Sequence, residues 1–112
     1  MKVALIVVAI LVSSEVRAET CMASVYNTKE SHWGSRTASG IRLRDEGLTM
    51  AHKTYKLRGW MRVTNRRTSQ TVELQVIDRG PYHVGRCADI TQAANKVLAC
   101  AGLCPVTVEG VR

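Results

Sequence analysis

Apolar residues in this chain fall into short runs with a period of two, separated by polar turns, and into one stretch with a helical period. Residues 22–26 form an early run that stops at Asn27, and residues 28–36 are polar and irregular, with Trp33 and Gly34 among them. Residues 48–51 are a short apolar segment. Residues 60–64 alternate, residues 65–70 are polar, and residues 71–77 alternate again with Val72, Leu74 and Val76 on one face. That pair predicts a β-hairpin, because successive side chains of a strand point to opposite faces. Residues 91–101 predict the one helix: Thr91 is placed to cap it, Ala93, Ala94, Val97, Leu98 and Ala101 share a face, and Gly102 stops it. Residues 105–111 alternate once more and predict a closing strand. Short strands and one helix, without an internal repeat, low-complexity tract or linker, predict a single small β-barrel domain.

The first eighteen residues follow a different pattern. Lys2 precedes an apolar run over residues 3–12, and Val16-Arg17-Ala18 has the small residues of a cleavage site. Residues 1–18 therefore read as an export signal whose apolar run is too short to span a bilayer. Residues 19–112 are expected to be the single mature domain, without stable membrane insertion after cleavage. Cys21, Cys87, Cys100 and Cys104 all lie there, and an even count in a small exported chain predicts two disulfides. Three pairings are open. No Cys-x-x-Cys pair exists and the three histidines are scattered, so no metal is expected. With three Tyr, two Trp and no Phe, the core is modest, and the bridges matter to it.

The formal net charge is +7, and loss of Lys2, Glu15 and Arg17 with the signal leaves +6. Arg42, Arg44, Lys53, Lys56, Arg58, Arg62, Arg66, Arg67, Arg79 and Arg86 spread that charge along the chain. Such a surface attracts polyanions over long range, and it also confers solubility. For an exported protein the polyanions are cell-wall polymers and anionic lipid headgroups. Nucleic acid is not expected, because there is no basic helix and no interleaving of stacking aromatics.

Two carboxylates stand out. Asp78-Arg79-Gly80-Pro81 ends one apolar strand, and Asp89-Ile90-Thr91 ends another just before the helix. A carboxylate at Asp89, partly desolvated by barrel walls, would have a raised pKa and be suited to donate a proton. Its position also allows it to help cap the helix. Asp78, before a Gly-Pro turn, is placed to accept hydrogen bonds from local backbone amides, or to pair with Arg79 or Arg86.

Taken in order, Thr37-Ala38-Ser39-Gly40, Leu48-Thr49-Met50-Ala51-His52, Met61-Arg62-Val63-Thr64-Asn65 and the two aspartate segments resemble the double-psi β-barrel domain of the rare lipoprotein A family. These are bacterial envelope proteins that cleave peptidoglycan glycan strands, and the resemblance runs over residues 23–108. It implies a mainly β fold, a six-stranded double-psi β-barrel with one short helix, stabilised by disulfides. It implies a peptidoglycan lytic transglycosylase that forms anhydromuramyl ends without a cofactor. Asp89 would be the general acid, with Asp78 and His52 as the other catalytic residues. Thr37, Ser39 and Gly40 would line the cleft; Arg79, Tyr26, Trp33 and Tyr82 would bind substrate, the rings by stacking on sugars.

The chain also departs from the family pattern. The family places Glu after Ala-Ser-Gly and an Asp a few residues later, whereas Ile41 and Arg44 stand here, with Asp45 and Glu46 as substitutes only if the loop register shifts. The departure keeps a second reading open, a non-catalytic, expansin-like module that binds cell-wall glycan. A third is a small secreted effector or inhibitor on the same scaffold. The family's lipid-attachment cysteine has no good counterpart, since Cys21 follows Ala18-Glu19-Thr20 and Glu19 is charged. An unlipidated, exported monomer, periplasmic or extracellular, is expected.

Overall fold

A closed ring of six strands organises the computed structural model, which describes residues 18–26 and 34–112. The strands are β1 (Glu19–Val25), β2 (Thr49–His52), β3 (Trp60–Asn65), β4 (Thr71–Asp78), β5 (Arg86–Ile90) and β6 (Cys104–Gly110), with helix α1 (Gln92–Leu98) between β5 and β6. Around the barrel the order is β1-β5-β2-β4-β3-β6. β1 with β5 and β2 with β4 are parallel pairs, and the remaining neighbours are antiparallel. Parallel strands need crossover connections rather than tight hairpins, and two of them in one small barrel give the double-psi architecture. Residues 1–17, within the stretch read above as an export signal, and Trp33 lie outside the described residues.

The hairpin forms where alternation predicts it. Met61 opposes Leu74 and Val63 opposes Val72 across β3 and β4, so one face of each strand enters the core. β6 covers the other edge of β3 and closes onto β1, where Cys21 faces Val106. Ala23, Met50, Val63, Leu74, Val76, Ile90, Val106 and Val108 are completely buried in the resulting cluster. Gly110 ends β6 against the ring of Tyr55; a Cβ there would come within 2.2 Å of the ring, so no larger residue fits without displacing it.

The helix is shorter than its periodicity predicts. It ends at Leu98, not Ala101, and Ala99 takes the left-handed conformation at φ 53° without the help of a glycine. Only Ala94 and Leu98 of the expected face are buried, while Val97 is 45% exposed. Two constraints stop it early. The Cys100–Cys104 disulfide draws the chain back into β6. The buried Asn65 donates from Nδ2 to the Leu98 carbonyl at 2.8 Å and accepts at Oδ1 from the Arg67 amide at 2.9 Å. One amide thus ties the β3–β4 turn to the helix end, satisfying a carbonyl the helix leaves open. Thr91 caps the other end, its hydroxyl accepting from the Ala94 amide at 3.3 Å and donating to the Gly47 carbonyl.

The second disulfide, Cys21–Cys87, joins β1 to β5. Its loop spans a sequence separation of 66, against 4 for Cys100–Cys104. If bridges act by restricting the unfolded chain, removing Cys21–Cys87 costs about 4 kcal/mol and removing Cys100–Cys104 about 2 kcal/mol. Paired Cys→Ala variants, unfolded in urea without reductant, are expected to rank in that order; the reverse order would point to strain relief or residual structure as the controlling factor.

Candidate active site

The register of three strands assembles the site. Asp89 of β5 lies opposite Ser24 of β1 on one side and opposite Ala51 of β2 on the other. Ala51 in turn lies opposite Asp78 of β4. Residues opposed across neighbouring strands project to the same side of a sheet, so the two carboxylates flank one alanine. Ala88 and Ile90, on either side of Asp89, are fully buried in the core, which leaves Asp89 facing the other way. The pairing of β2 with β4 shifts register between Met50 and Ala51, and that of β1 with β5 between Met22 and Ala23. Such irregularities re-aim side chains, and both lie immediately beside the residues of this row.

Asp89 is half-buried, and its carboxylate accepts a short hydrogen bond from the Ser24 hydroxyl. Its pKa is raised above the usual 3.8, chiefly by burial. The Ser24 bond, Arg86 and His83 oppose the rise, in that order, and the negative charge of Asp78 adds to it. Asp89 takes no part in capping the helix; that is the work of Thr91. The Tyr26 hydroxyl is buried without a hydrogen-bond partner, and its acidity is suppressed first by burial and then by the charges of Asp78 and Asp89. Tyr26 therefore sits as a protonated donor in the field of both carboxylates.

Residues 34–43 fold into a small antiparallel turn fastened to the end of β4. The Ser39 amide donates to the Ile77 carbonyl at 3.0 Å, and the Ala38 amide to Asp78 Oδ1 at 3.0 Å. Within the turn the Thr37 and Ser39 hydroxyls are 2.9 Å apart, the Thr37 hydroxyl donates to the Ile41 carbonyl at 2.6 Å, and Gly40 takes φ 86°, a conformation that suits glycine. Thr37, Ser39 and Gly40 are thus brought beside Asp78, which accepts a backbone amide from a distant loop and not from its own Gly-Pro turn.

His52 and Arg79 form a different group. His52 is buried, its Nδ1 accepts from the Thr54 and Tyr55 amides at 3.2 and 3.0 Å, and its Nε2 lies 4.0 Å from Glu19. Burial lowers its pKa from 6.5, Glu19 opposes this, and Arg79 and Lys53 add to it. Arg79 donates to the His52 carbonyl at 3.2 Å and to the Tyr55 carbonyl. Both ring nitrogens of His52 therefore face groups other than the two aspartates, and Arg79 braces the β2–β3 loop. Tyr82, 79% exposed, and Val84 project from the loop after Gly80-Pro81.

Asp45 and Glu46 do not join Asp89. They line a shallow groove of about 390 Å³ with Gln92, Ala93 and Lys96, and the Asp45 carbonyl accepts the Ala93 amide at 2.9 Å. Arg44 is exposed. The grouping of Glu19, Cys21 and Cys87 has the spacing of metal ligands, but its two thiols are joined in the disulfide. Sequence reasoning missed Ser24. A lone hydroxyl in an apolar run becomes legible only when β1 is laid against β5.

The fold and this row define a double-psi β-barrel with a carboxylate-centred site. The chain belongs to the lytic transglycolase family, whose model matches residues 18–108. Among its relatives, the endolytic peptidoglycan transglycosylase RlpA of Rickettsia felis is 40% identical over 78% of this chain, and that of Pseudomonas aeruginosa (strain UCBPP-PA14) 42% identical over 80%. These matches cover 39% and 26% of the relatives' own lengths, so the chain spans well under half of them. The apo expansin of Clavibacter michiganensis superposes with a TM-score of 0.64 at 20% identity, over 86% of this chain and 51% of that one. A Streptomyces papain inhibitor gives the same TM-score and identity over 86% of this chain and 96% of its own. At that identity the likeness is one of fold.

A raised carboxylate pKa has a stability consequence whose sign is fixed. Between pH 3.8 and its raised folded value, Asp89 holds its proton in the folded state while the unfolded chain has released it. Wild type therefore loses stability as pH rises through that window. The stability of Asp89→Asn relative to wild type is expected to increase from acid to neutral pH, with the His52 contribution cancelling between the two proteins. Urea midpoints at a series of pH values measure this; a constant difference would mean that Asp89 is not desolvated.

Proposed function

We propose that this chain is a peptidoglycan lytic transglycosylase domain with Asp89 as its general acid. The observation that carries the reading is the half-buried Asp89 carboxyl, whose pKa is raised by desolvation and whose oxygen accepts from the Ser24 hydroxyl. The relatives named endolytic peptidoglycan transglycosylase support the substrate and the reaction. Asp89 protonates the glycosidic oxygen that leaves C1 of the muramic acid, and the C1–O bond breaks. The carboxylate left behind takes the proton of that sugar's own C6 hydroxyl, whose oxygen closes on C1 to give the 1,6-anhydro ring. The proton count balances and no water is consumed. One carboxyl suffices, whereas a hydrolase of the common kind needs two. The charge of Asp78 adds to the burial that raises the Asp89 pKa, and it favours the cationic character developing at C1.

A second reading, a binding module without catalysis, is favoured by Ile41 and Arg44 standing where the family pattern has acids, and by the placement of Asp45 and Glu46 against the helix. An expansin of this fold in complex with cellohexaose supports glycan binding by such barrels. On either reading we take residues 1–18 as an export signal and residues 19–112 as a single, unlipidated, monomeric domain acting outside the cytoplasm.

Mass spectrometry of soluble products from peptidoglycan sacculi decides between them. The wild-type domain is expected to release anhydromuramyl ends, and Asp89→Asn to release about 10²–10⁴-fold less. The wild-type rate is expected to fall as pH rises through the raised pKa, since only the protonated acid reacts. Products with reducing ends would indicate hydrolysis. Binding to sacculi without any released product would establish the module.

A further inference from the structure

Three groups of metal-ligating type meet at the seam between β1 and β5, apart from the carboxylate row. Glu19 and Cys21 are two positions apart on β1 and so project to one side of the strand. Cys87 comes from β5, and a Glu19 carboxylate oxygen and the sulfurs of Cys21 and Cys87 all lie within 4.8 Å of one another. Cys87 is buried, Cys21 half-buried and Glu19 exposed. The cluster is therefore anchored in the barrel wall and open to solvent on its Glu19 side. In the oxidised protein the Cys21–Cys87 bond engages both sulfurs.

The neighbour of Glu19 is oriented as the partner of a metal-bound carboxylate would be. His52 Nδ1 accepts two backbone amides, from Thr54 and Tyr55 at 3.2 and 3.0 Å, which leaves the proton of the neutral ring on Nε2. That nitrogen lies 4.0 Å from the Glu19 carboxylate. His52 is thus no ligand itself; it turns an N–H towards the carboxylate, and carboxylates that bind metals are ordinarily supported by such donors. The ring is buried, and Arg79 braces its loop through the His52 and Tyr55 carbonyls, so the N–H is held in place.

We propose that the reduced protein holds one divalent cation of the zinc class at Glu19, Cys21 and Cys87. A dithiol reductant gives two electrons and two protons to the Cys21–Cys87 bond, leaving two thiols as the reductant itself becomes a disulfide. The cation then displaces both thiol protons to solvent and bonds two thiolates and the carboxylate, with water in the fourth position. Tetrahedral bonds of about 2.3 Å place two zinc-bound sulfurs about 3.8 Å apart. That lies within the present spread of the ligand atoms, so rotation of the two side chains opens the site. Thiolates select the zinc class over calcium and magnesium, which take oxygen ligands. Two thiolates and a carboxylate this close repel one another, and the cation removes that repulsion. The seam is then stapled by a covalent bond or by a metal, in either case just before Ser24 on β1 and Asp89 on β5.

Cobalt(II) tests this, because thiolate ligands give it intense near-ultraviolet absorption. Protein reduced with excess dithiol, and freed of it by gel filtration without oxygen, is titrated with Co2+ and then with Zn2+. Reduced wild type is expected to develop the thiolate absorption and to lose it as Zn2+ takes the site, whereas unreduced protein develops none. Glu19→Ala is expected to bind Co2+ about tenfold more weakly or worse, since even the loss of a supporting partner has that effect. Cys21→Ala/Cys87→Ala, which keeps Cys100 and Cys104, is expected to bind one Co2+ fewer per chain than reduced wild type. Far-ultraviolet circular dichroism follows the fold throughout. Where reduction unfolds the chain, Zn2+ is expected to restore the strand spectrum, because metal binding and folding are coupled. Equal binding by unreduced protein, binding unchanged by either variant, or a reduced chain that neither takes Co2+ nor refolds with Zn2+ would overturn the assignment.

Discussion

The placement of β2 between β4 and β5 is the constraint on which the rest of this structure depends. β2 is only four residues long, yet it pairs parallel on one side and antiparallel on the other. That double pairing sets Ala51 opposite both Asp78 and Asp89, although they leave the chain on different strands. A larger residue at Ala51 would fill the space between the carboxylates, and a slip of one residue in either register would turn an aspartate into the core. Neither β4 nor β5 could hold its acid in this row without the strand between them.

The barrel around that row is closed by means that leave the row itself under tension. The apolar ring, the Cys21–Cys87 bridge and the buried Asn65 amide stabilise the fold away from the carboxylates. The row works in the opposite sense. Burial makes the charged form of Asp89 costly, Asp78 adds repulsion, and the Tyr26 hydroxyl is buried without a partner. Each of these lowers stability, and burial and repulsion together hold the proton on Asp89 to higher pH than on a free carboxyl, the balance expected of a site whose cost is supported by the surrounding scaffold.

Charge is divided between two levels of the same edge. The acids are inside the row and half-buried; the arginines stand on the turn above it and are exposed. The connection is physical, because the turn that carries Arg36 and Arg42 also supplies the Ala38 amide to Asp78. Asp45 and Glu46 show what would have happened otherwise: held against helix α1, they contribute nothing to the electrostatics of Asp89.

The sequence by itself determined the elements whose signal is local. Alternation placed the β3–β4 hairpin and β6, Thr91 marked the helix start, and the order of the short motifs carried the double-psi barrel and singled out Asp78 and Asp89, which the barrel sets on either side of Ala51. Local signals are legible because side-chain periodicity and capping involve neighbours in the chain. Tertiary structure alone decided the remainder. The helix end at Ala99 depends on Asn65 and on a disulfide, Ser24 acquires its role only opposite Asp89, and His52 is turned towards the amides of its own loop. Among three possible disulfide pairings, the choice followed from strand order. Each of these rests on partners separated by tens of residues, and only closure of the barrel brings such partners within reach of a hydrogen bond.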